Sequence, residues 1–243
     1  MTMTIQERID AARKAQAQIL DYTQEQVDKL VFEVAKVIYL NAEPLAKMAV
    51  EETRLGKYED KIGKNTDTPT AFWAYLKDKK SVGVIREIPE EGIIEVAHPI
   101  GVIGAVTPAT NPTVTPLGNA MHALKGKNAL VITPAPRAEK TSTRTVELMR
   151  EALVKCGAPA DLIQIIEEIT IEKSAELMEK CDLVIATGGP GLTKAAYSSG
   201  TPAYGVGPGN PPVILDRGYD LVDAAKKLSL IHISEPTRRS YIS

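Results

Sequence analysis

Apolar residues recur at helical spacing through the first third of the chain. After Thr23, the positions Val27, Leu30, Val31, Val34, Ala35 and Ile38 fall on one face and predict an amphipathic helix. Thr4 with Glu7, and Thr23 with Gln26, each fit a capping box, in which a hydroxyl and a carboxylate or amide satisfy the free backbone donors of a helix start. Further helices are predicted from near Pro44, carrying Leu45, Met48 and Ala49, and around Phe72, Trp73 and Tyr75. Between Ser81 and Pro99 the pattern shifts to short β-prone runs over 82–85 and 93–96. The turn-like Pro89, Glu90, Glu91 and Gly92 separate them, as in a hairpin.

From Gly101 onward, apolar runs of strand length at 102–106, 129–132, 162–166 and 183–186 alternate with helical stretches. The clearest of these helices places Thr145, Leu148, Met149, Ala152 and Leu153 on one face and is stopped by Gly157 and Pro159. Alternation of this kind predicts an α/β fold with a parallel sheet and crossover helices. The chain accordingly divides into a helical segment (1–80), a hairpin (81–100), an α/β unit (101–227) and a tail (228–243).

Composition narrows the function classes. The chain has 243 residues, 44% hydrophobic and 25% charged, which suits a globular protein with a sizeable core. A formal net charge of -2 with scattered Lys and Arg gives no basic patch for nucleic acid. No apolar run approaches the roughly 18 residues that span a bilayer, and the polar start is not signal-like, so a cytoplasmic protein is expected. Cys156 and Cys181 are too few for a disulfide framework and too far apart for a zinc knuckle; both read as small packed residues. His98 precedes a proline, His122 lies on a helix beside Met121 and Leu124, and His232 is in the tail, so no metal site is expected.

In an open parallel sheet, ligands bind beyond the carboxyl ends of strands, where helix amino termini offer unpaired N–H groups to phosphate. Three such ends are small, polar and sharply turned: Thr107 to Pro112, Thr133 to Arg137 and Thr187 to Gly191. The glycines after Thr187 suit a pyrophosphate cradle, although a plain strand-to-helix turn would also use them. The run from Gly205 to Asn210 is open to the same two readings, and G-x-G-x-x-G does not open the first strand-helix unit. Asn111, between Thr110 and Pro112, could donate to a developing oxyanion or serve only the turn. Arg137 could meet a phosphate or simply be solvated.

Taken in order, Thr107-Pro108-x-x-Asn111-Pro112, Pro134-x-Pro136-Arg137, Ala186-Thr187-Gly188-Gly189-Pro190-Gly191, Lys194 through Gly200 and Gly205-Val206-Gly207-x-Gly209-Asn210 resemble the CoA-acylating branch of the aldehyde dehydrogenase superfamily. The likeness is greatest to the aldehyde-oxidising half of bifunctional aldehyde-alcohol dehydrogenases and extends from the first helix to about Lys227. It implies a Rossmann-like NAD(P)-binding domain and oxidation of an aldehyde with NAD or NADP through a cysteine thiohemiacetal. The acyl group would then pass to coenzyme A, since a thioester exchanges directly with a thiol. By motif position, Asn111 would be the side-chain oxyanion donor. Val106, Thr107, Pro108, Ala109, Thr110, Asn111, Thr187, Gly188, Gly189 and Gly207 would line the cofactor. The hairpin would serve a homo-oligomer of the complete enzyme.

Two departures refine that expectation. Hydrolytic members of the superfamily carry a glutamate base where this chain has Gly205, which favours thiolysis, and a ribose-binding lysine where it has Thr133, which leaves NAD against NADP open. No cysteine follows Cys181, so the chain is expected to be a fragment ending before the family nucleophile and inactive alone. The run from Leu228 to Arg238 resembles a translated sequencing adapter and is expected to be artefactual. Two rival readings stand beside this one: a relative of glutamyl phosphate reductase, and a non-catalytic nucleotide-binding or assembly module.

Overall fold

The computed structural model describes residues 3–207, 209 and 212–231. Four helices open the chain: α1 (Ile5–Ala17), α2 (Gln24–Leu40), α3 (Ala42–Thr53) and α4 (Tyr58–Leu76). Both capping boxes form, with Thr4 N donating to Glu7 Oε2 at 2.8 Å and Thr23 N donating to Gln26 Oε1 at 2.9 Å. The buried face of α2 consists of the six residues expected from spacing. A hairpin follows, β1 (Gly83–Ile88) and β2 (Ile93–Ala97), tied to α2 by Gln24, whose Oε1 accepts from the N–H groups of Ser81 and Val82 at 2.7 and 3.1 Å.

The remainder alternates strand and helix: β3 (Val102–Thr107), α5 (Val114–Lys125), β4 (Ala129–Pro134), α6 (Glu139–Lys155), β5 (Ile163–Ile165), α7 (Ile171–Lys180), β6 (Leu183–Thr187), α8 (Pro190–Tyr197), β7 (Ala203–Val206) and α9 (Leu221–Ile231). The strands β3 to β7 form a five-stranded sheet in the order β5-β4-β3-β6-β7, with every pairing parallel. Every residue of β4 and all but Val106 of β3 are buried, as expected of a sheet covered on both faces. One core runs from Ile5 and Ile9 of α1 through Leu130 and Ile132 to Val184, so the opening helices share the sheet's hydrophobic interior. Among the described residues, no helix is long and apolar enough to cross a membrane.

Four boundaries differ from the sequence expectation. The first hairpin strand extends to Ile88, because the cross-strand pair Arg86–Glu95 continues the ladder past a register shift between Val84 and Arg86. The strand expected over 162–166 shortens to β5, since Ala160–Leu162 form a 3-10 turn. The run from Gly205 to Asn210, read as either a cradle or a turn, begins inside the edge strand β7, whose last two residues are Gly205 and Val206. Of the tail expected over 228–243, α9 continues to Ile231, and residues 232–243, with His232 and Arg238, lie outside the described residues.

Candidate active-site cleft

The strand order places the chain's reversal of direction between β3 and β6, from which the crossovers leave to opposite sides. In such a sheet a crevice opens where the two loops diverge at the strands' carboxyl ends. A cleft of about 890 Å³ lies there. The end of β3 supplies Val106 and Thr107, and the following turn supplies Pro108, Ala109, Thr110 and Asn111. From β4 come Pro134 to Arg137, from β6 Thr187, Gly188 and Gly189, and from β7 Gly207. All ten residues singled out from sequence therefore border one space. The α7 side of the wall, Thr170, Ile171, Ser174 and Met178, was not foreseen, since these read only as ordinary helix positions.

The cleft is built to receive polar groups. The hydroxyl of Thr107 is buried, with no hydrogen-bond partner among the described residues, at the floor where β3 ends. Leaving a buried hydroxyl unpaired is unfavourable, so a partner from a ligand would be stabilising there. Helix α8 begins at the cleft with Pro190 in its first turn, and its cap residue Gly189 makes no side-chain cap bond, which leaves the helix amino terminus open to an anion. A Cβ at Gly189 would meet nothing within 4 Å, so the space next to it is open. Among the described residues lining the cleft, Arg137 is the one that carries a charge. Its Nη2 donates to the carbonyl of Thr53 at 3.0 Å, which ties the β4 turn to the end of α3 and gives the arginine a structural partner beyond solvent.

The turn that carries Asn111 is held from three sides. Lys61 of α4, 6% exposed, donates its ammonium to the carbonyl of Thr110. Thr115 N of α5 donates to the carbonyl of Asn111 at 3.2 Å, and Ser142 Oγ of α6 donates to the carbonyl of Pro112 at 3.1 Å. Lys64 Nζ lies 3.4 Å from Asn111 Oδ1. Burial, with the neighbouring charge of Lys64, lowers the Lys61 ammonium to about 8. Sequence reasoning missed both lysines. The signal was there: the buried face of α4 is Lys61, Asn65, Pro69 and Leu76, a helical stripe with polar members that a search for apolar periodicity passes over.

The two departures noted in the sequence have structural content. Thr133 is buried, with its hydroxyl 3.1 Å from Ser174 Oγ, so this position is closed into a hydroxyl pair. A Cβ on Gly205 would lie 2.6 Å from Thr193 Cγ2 and 2.8 Å from Tyr197 Cε2. A side chain at 205 would therefore require the side chains of Thr193 and Tyr197, on the face of α8 that packs on β7, to shift.

Neither cysteine borders the cleft. Cys181 is buried at the amino end of β6, the opposite end from Thr187, and burial raises its thiol pKa. Cys156, at the end of α6, is half-buried rather than enclosed, and burial again raises its thiol pKa. No cluster of three or more His, Cys, Asp or Glu side chains suited to a metal occurs among the described residues.

Comparison with known proteins gives the architecture a family. The chain is 54% identical over 226 residues to succinate-semialdehyde dehydrogenase (acetylating) of Clostridium kluyveri, covering 93% of this chain and 50% of that protein. It is 43% identical over 216 residues to the bifunctional aldehyde-alcohol dehydrogenase of Escherichia coli (strain K12), covering 88% of this chain and 24% of that protein. The crystal structure of an acetylating aldehyde dehydrogenase from Geobacillus thermoglucosidasius superposes with a TM-score of 0.88 at 39% identity, covering 95% of this chain and 52% of that one. The chain thus spans about half the length of the first of these relatives and of that structure. The model of the aldehyde dehydrogenase family matches residues 2–230, and the chain belongs to that family.

Proposed function

We propose that this chain is the nicotinamide-binding part of an acylating aldehyde dehydrogenase, which oxidises an aldehyde with NAD or NADP and releases the acyl group as a CoA thioester. The observation that carries the reading is the convergence of Asn111, Thr187, Gly188, Gly189 and Gly207 on one cleft at the sheet's switch point. The residues fit a dinucleotide: an open helix amino terminus for the pyrophosphate, an unpaired Thr107 hydroxyl, and apolar walls from Ile171, Met178 and Leu192. When bound, the nicotinamide supplies the hydride acceptor. The chain's own contribution is to orient it with Val106 to Asn111 and to aim the Asn111 amide at the oxygen that gains charge.

Release to a thiol rather than to water follows from Gly205. Hydrolysis needs a base to activate water, and Gly205 supplies none; a Cβ there would also press on the side chains of Thr193 and Tyr197. Relatives named acylating or acetylating agree with that choice. Neither Cys156 nor Cys181 borders the cleft, so on this reading the chain by itself is expected to bind cofactor and not turn over. The hairpin, where Ile94 and Val96 are exposed, offers an apolar surface for a homo-oligomer of the complete enzyme, which we place in the cytoplasm.

Titration calorimetry with NAD and NADP tests the cofactor site directly. Gly189 has φ -73 and open space before it, so Gly189→Val should fold normally while filling the approach to the helix terminus. Binding that weakens at least about tenfold in Gly189→Val supports the reading, since the variant removes close backbone approach to the phosphates. Unchanged affinity, or no binding by the parent protein, contradicts it.

A further inference from the structure

The turn from Thr110 to Pro112 has each of its three consecutive carbonyls bound by a donor from a different helix: Lys61 of α4, Thr115 of α5 and Ser142 of α6. A turn restrained in this way holds its side chains in one orientation. Lys61 is the unusual member, because it spends a buried ammonium on a single neutral carbonyl. A carboxylate partner would be the ordinary arrangement for a buried cation. One helical turn further along the same face, Lys64 places its ammonium beside Asn111 Oδ1 at 3.4 Å.

An amide can present either its oxygen or its N–H₂ group to a ligand, and the two differ only by a flip about the last side-chain bond. An ammonium beside Oδ1 removes that ambiguity. With its oxygen held by Lys64, Asn111 must direct Nδ2 away from α4, and withdrawal of charge from the amide oxygen makes the remaining N–H groups better donors.

We propose that Lys61 and Lys64 are positioning residues for the reaction: Lys61 fixes the backbone under Asn111, and Lys64 fixes its amide as a donor. This rests on the reading of Asn111 as oxyanion donor. Neither lysine touches the reacting atoms in this scheme; both act through Asn111.

The test uses the full-length protein that contains this chain, with Asn111→Ala, Lys64→Met, Lys64→Arg, Lys61→Met and the double variant Asn111→Ala/Lys64→Met. The measurements are kcat, and KM for aldehyde and for nicotinamide cofactor, with melting curves as a check on folding. Lys64 is exposed, so its variants carry the test even if Lys61→Met does not fold. Loss of amide orientation should lower kcat at least about tenfold in Lys64→Met, with cofactor KM changed by less than about twofold and Lys64→Arg restoring most of the rate. In the Asn111→Ala background, Lys64→Met should add less than about twofold, because the group it acts through is gone. A Lys64→Met enzyme with parental kcat, or a loss that multiplies fully with Asn111→Ala, overturns the proposal while leaving the oxyanion reading intact. An Asn111→Ala enzyme with parental kcat overturns the oxyanion reading itself, and this inference with it.

Discussion

Glu52, in the last turn of α3, caps α6 through Thr141: its Oε2 accepts from the Thr141 N–H at 2.8 Å and from the Thr141 hydroxyl at 2.6 Å, while Oε1 accepts from Lys140 N at 2.7 Å. The residue before α6, Ala138, offers no side-chain cap, so a carboxylate from another helix does that work with the favourable sign for a helix amino terminus. Arg137 completes the exchange by donating to the carbonyl of Thr53. The two contacts fix the β4 turn that forms one wall of the cleft.

Glu52→Ala should therefore destabilise the fold by about 2 to 3 kcal/mol, as expected for charge-assisted bonds that leave helix donors uncapped when lost. Urea unfolding with an unchanged m-value measures it. Glu52→Gln should retain part of the stability, because an amide oxygen still accepts, and a Glu52→Ala protein as stable as the parent would contradict the cap.

Gly205→Glu should not create a hydrolytic enzyme. The added Cβ meets Thr193 and Tyr197, so the expected outcome is loss of α8 packing and a lower melting temperature, by about 1 to 3 kcal/mol of overpacking. CoA-independent aldehyde oxidation in a normally stable full-length Gly205→Glu variant would contradict the steric account of thiolysis.

Thiol reactivity separates the two cysteines. Cys181 is buried with its pKa raised by desolvation, and Cys156 is half-buried with its pKa raised by the same cause, so both should be mostly protonated at neutral pH. A native chain treated with a thiol reagent should label slowly at Cys156 and be protected at Cys181, with both labelled after denaturation. Rapid native labelling of Cys181 would contradict its burial beneath β3.

Lys61 makes stability depend on pH in a definite direction. Its folded-state pKa of about 8 lies below the ordinary lysine value of 10.5, so the folded state gives up a proton that the unfolded chain still holds between those limits. The cost of burying its charge is fully present below about pH 8 and is relieved as pH rises toward 10.5. Compared with Lys61→Met, which has no proton to lose, the parent should gain stability across that window, by roughly 3 kcal/mol at most. A difference between the two proteins that is flat with pH, or that falls, would contradict the assignment.

How much was legible in the sequence follows from which signals are local. The α2 face and both capping boxes were readable because spacing and hydroxyl–carboxylate pairs act within one helix. The cleft residues were readable because strand ends followed by small, turned residues mark the ligand-binding edge of a parallel sheet. What escaped depends on tertiary contact. β7 was hidden because its glycine, required by the closeness of Tyr197, weakens a strand's apolar signature. Lys61 and Glu52 were hidden because their partners, Thr110 and Thr141, are 49 and 89 residues away in the chain. The cleft's α7 wall gave no sign, since Ser174 and Met178 have no marked chemistry until the crossover brings them over Thr133.

The proposed function is oxidation of an aldehyde with the nicotinamide held in this cleft and release of the acyl group to coenzyme A. The most direct measurement is nicotinamide reduction by the full-length protein with a short aldehyde, with and without coenzyme A. Reduction that continues only when coenzyme A is present, with acyl-CoA formed in equal amount, is the expected result. Sustained reduction without coenzyme A, with free acid as product, would contradict the account.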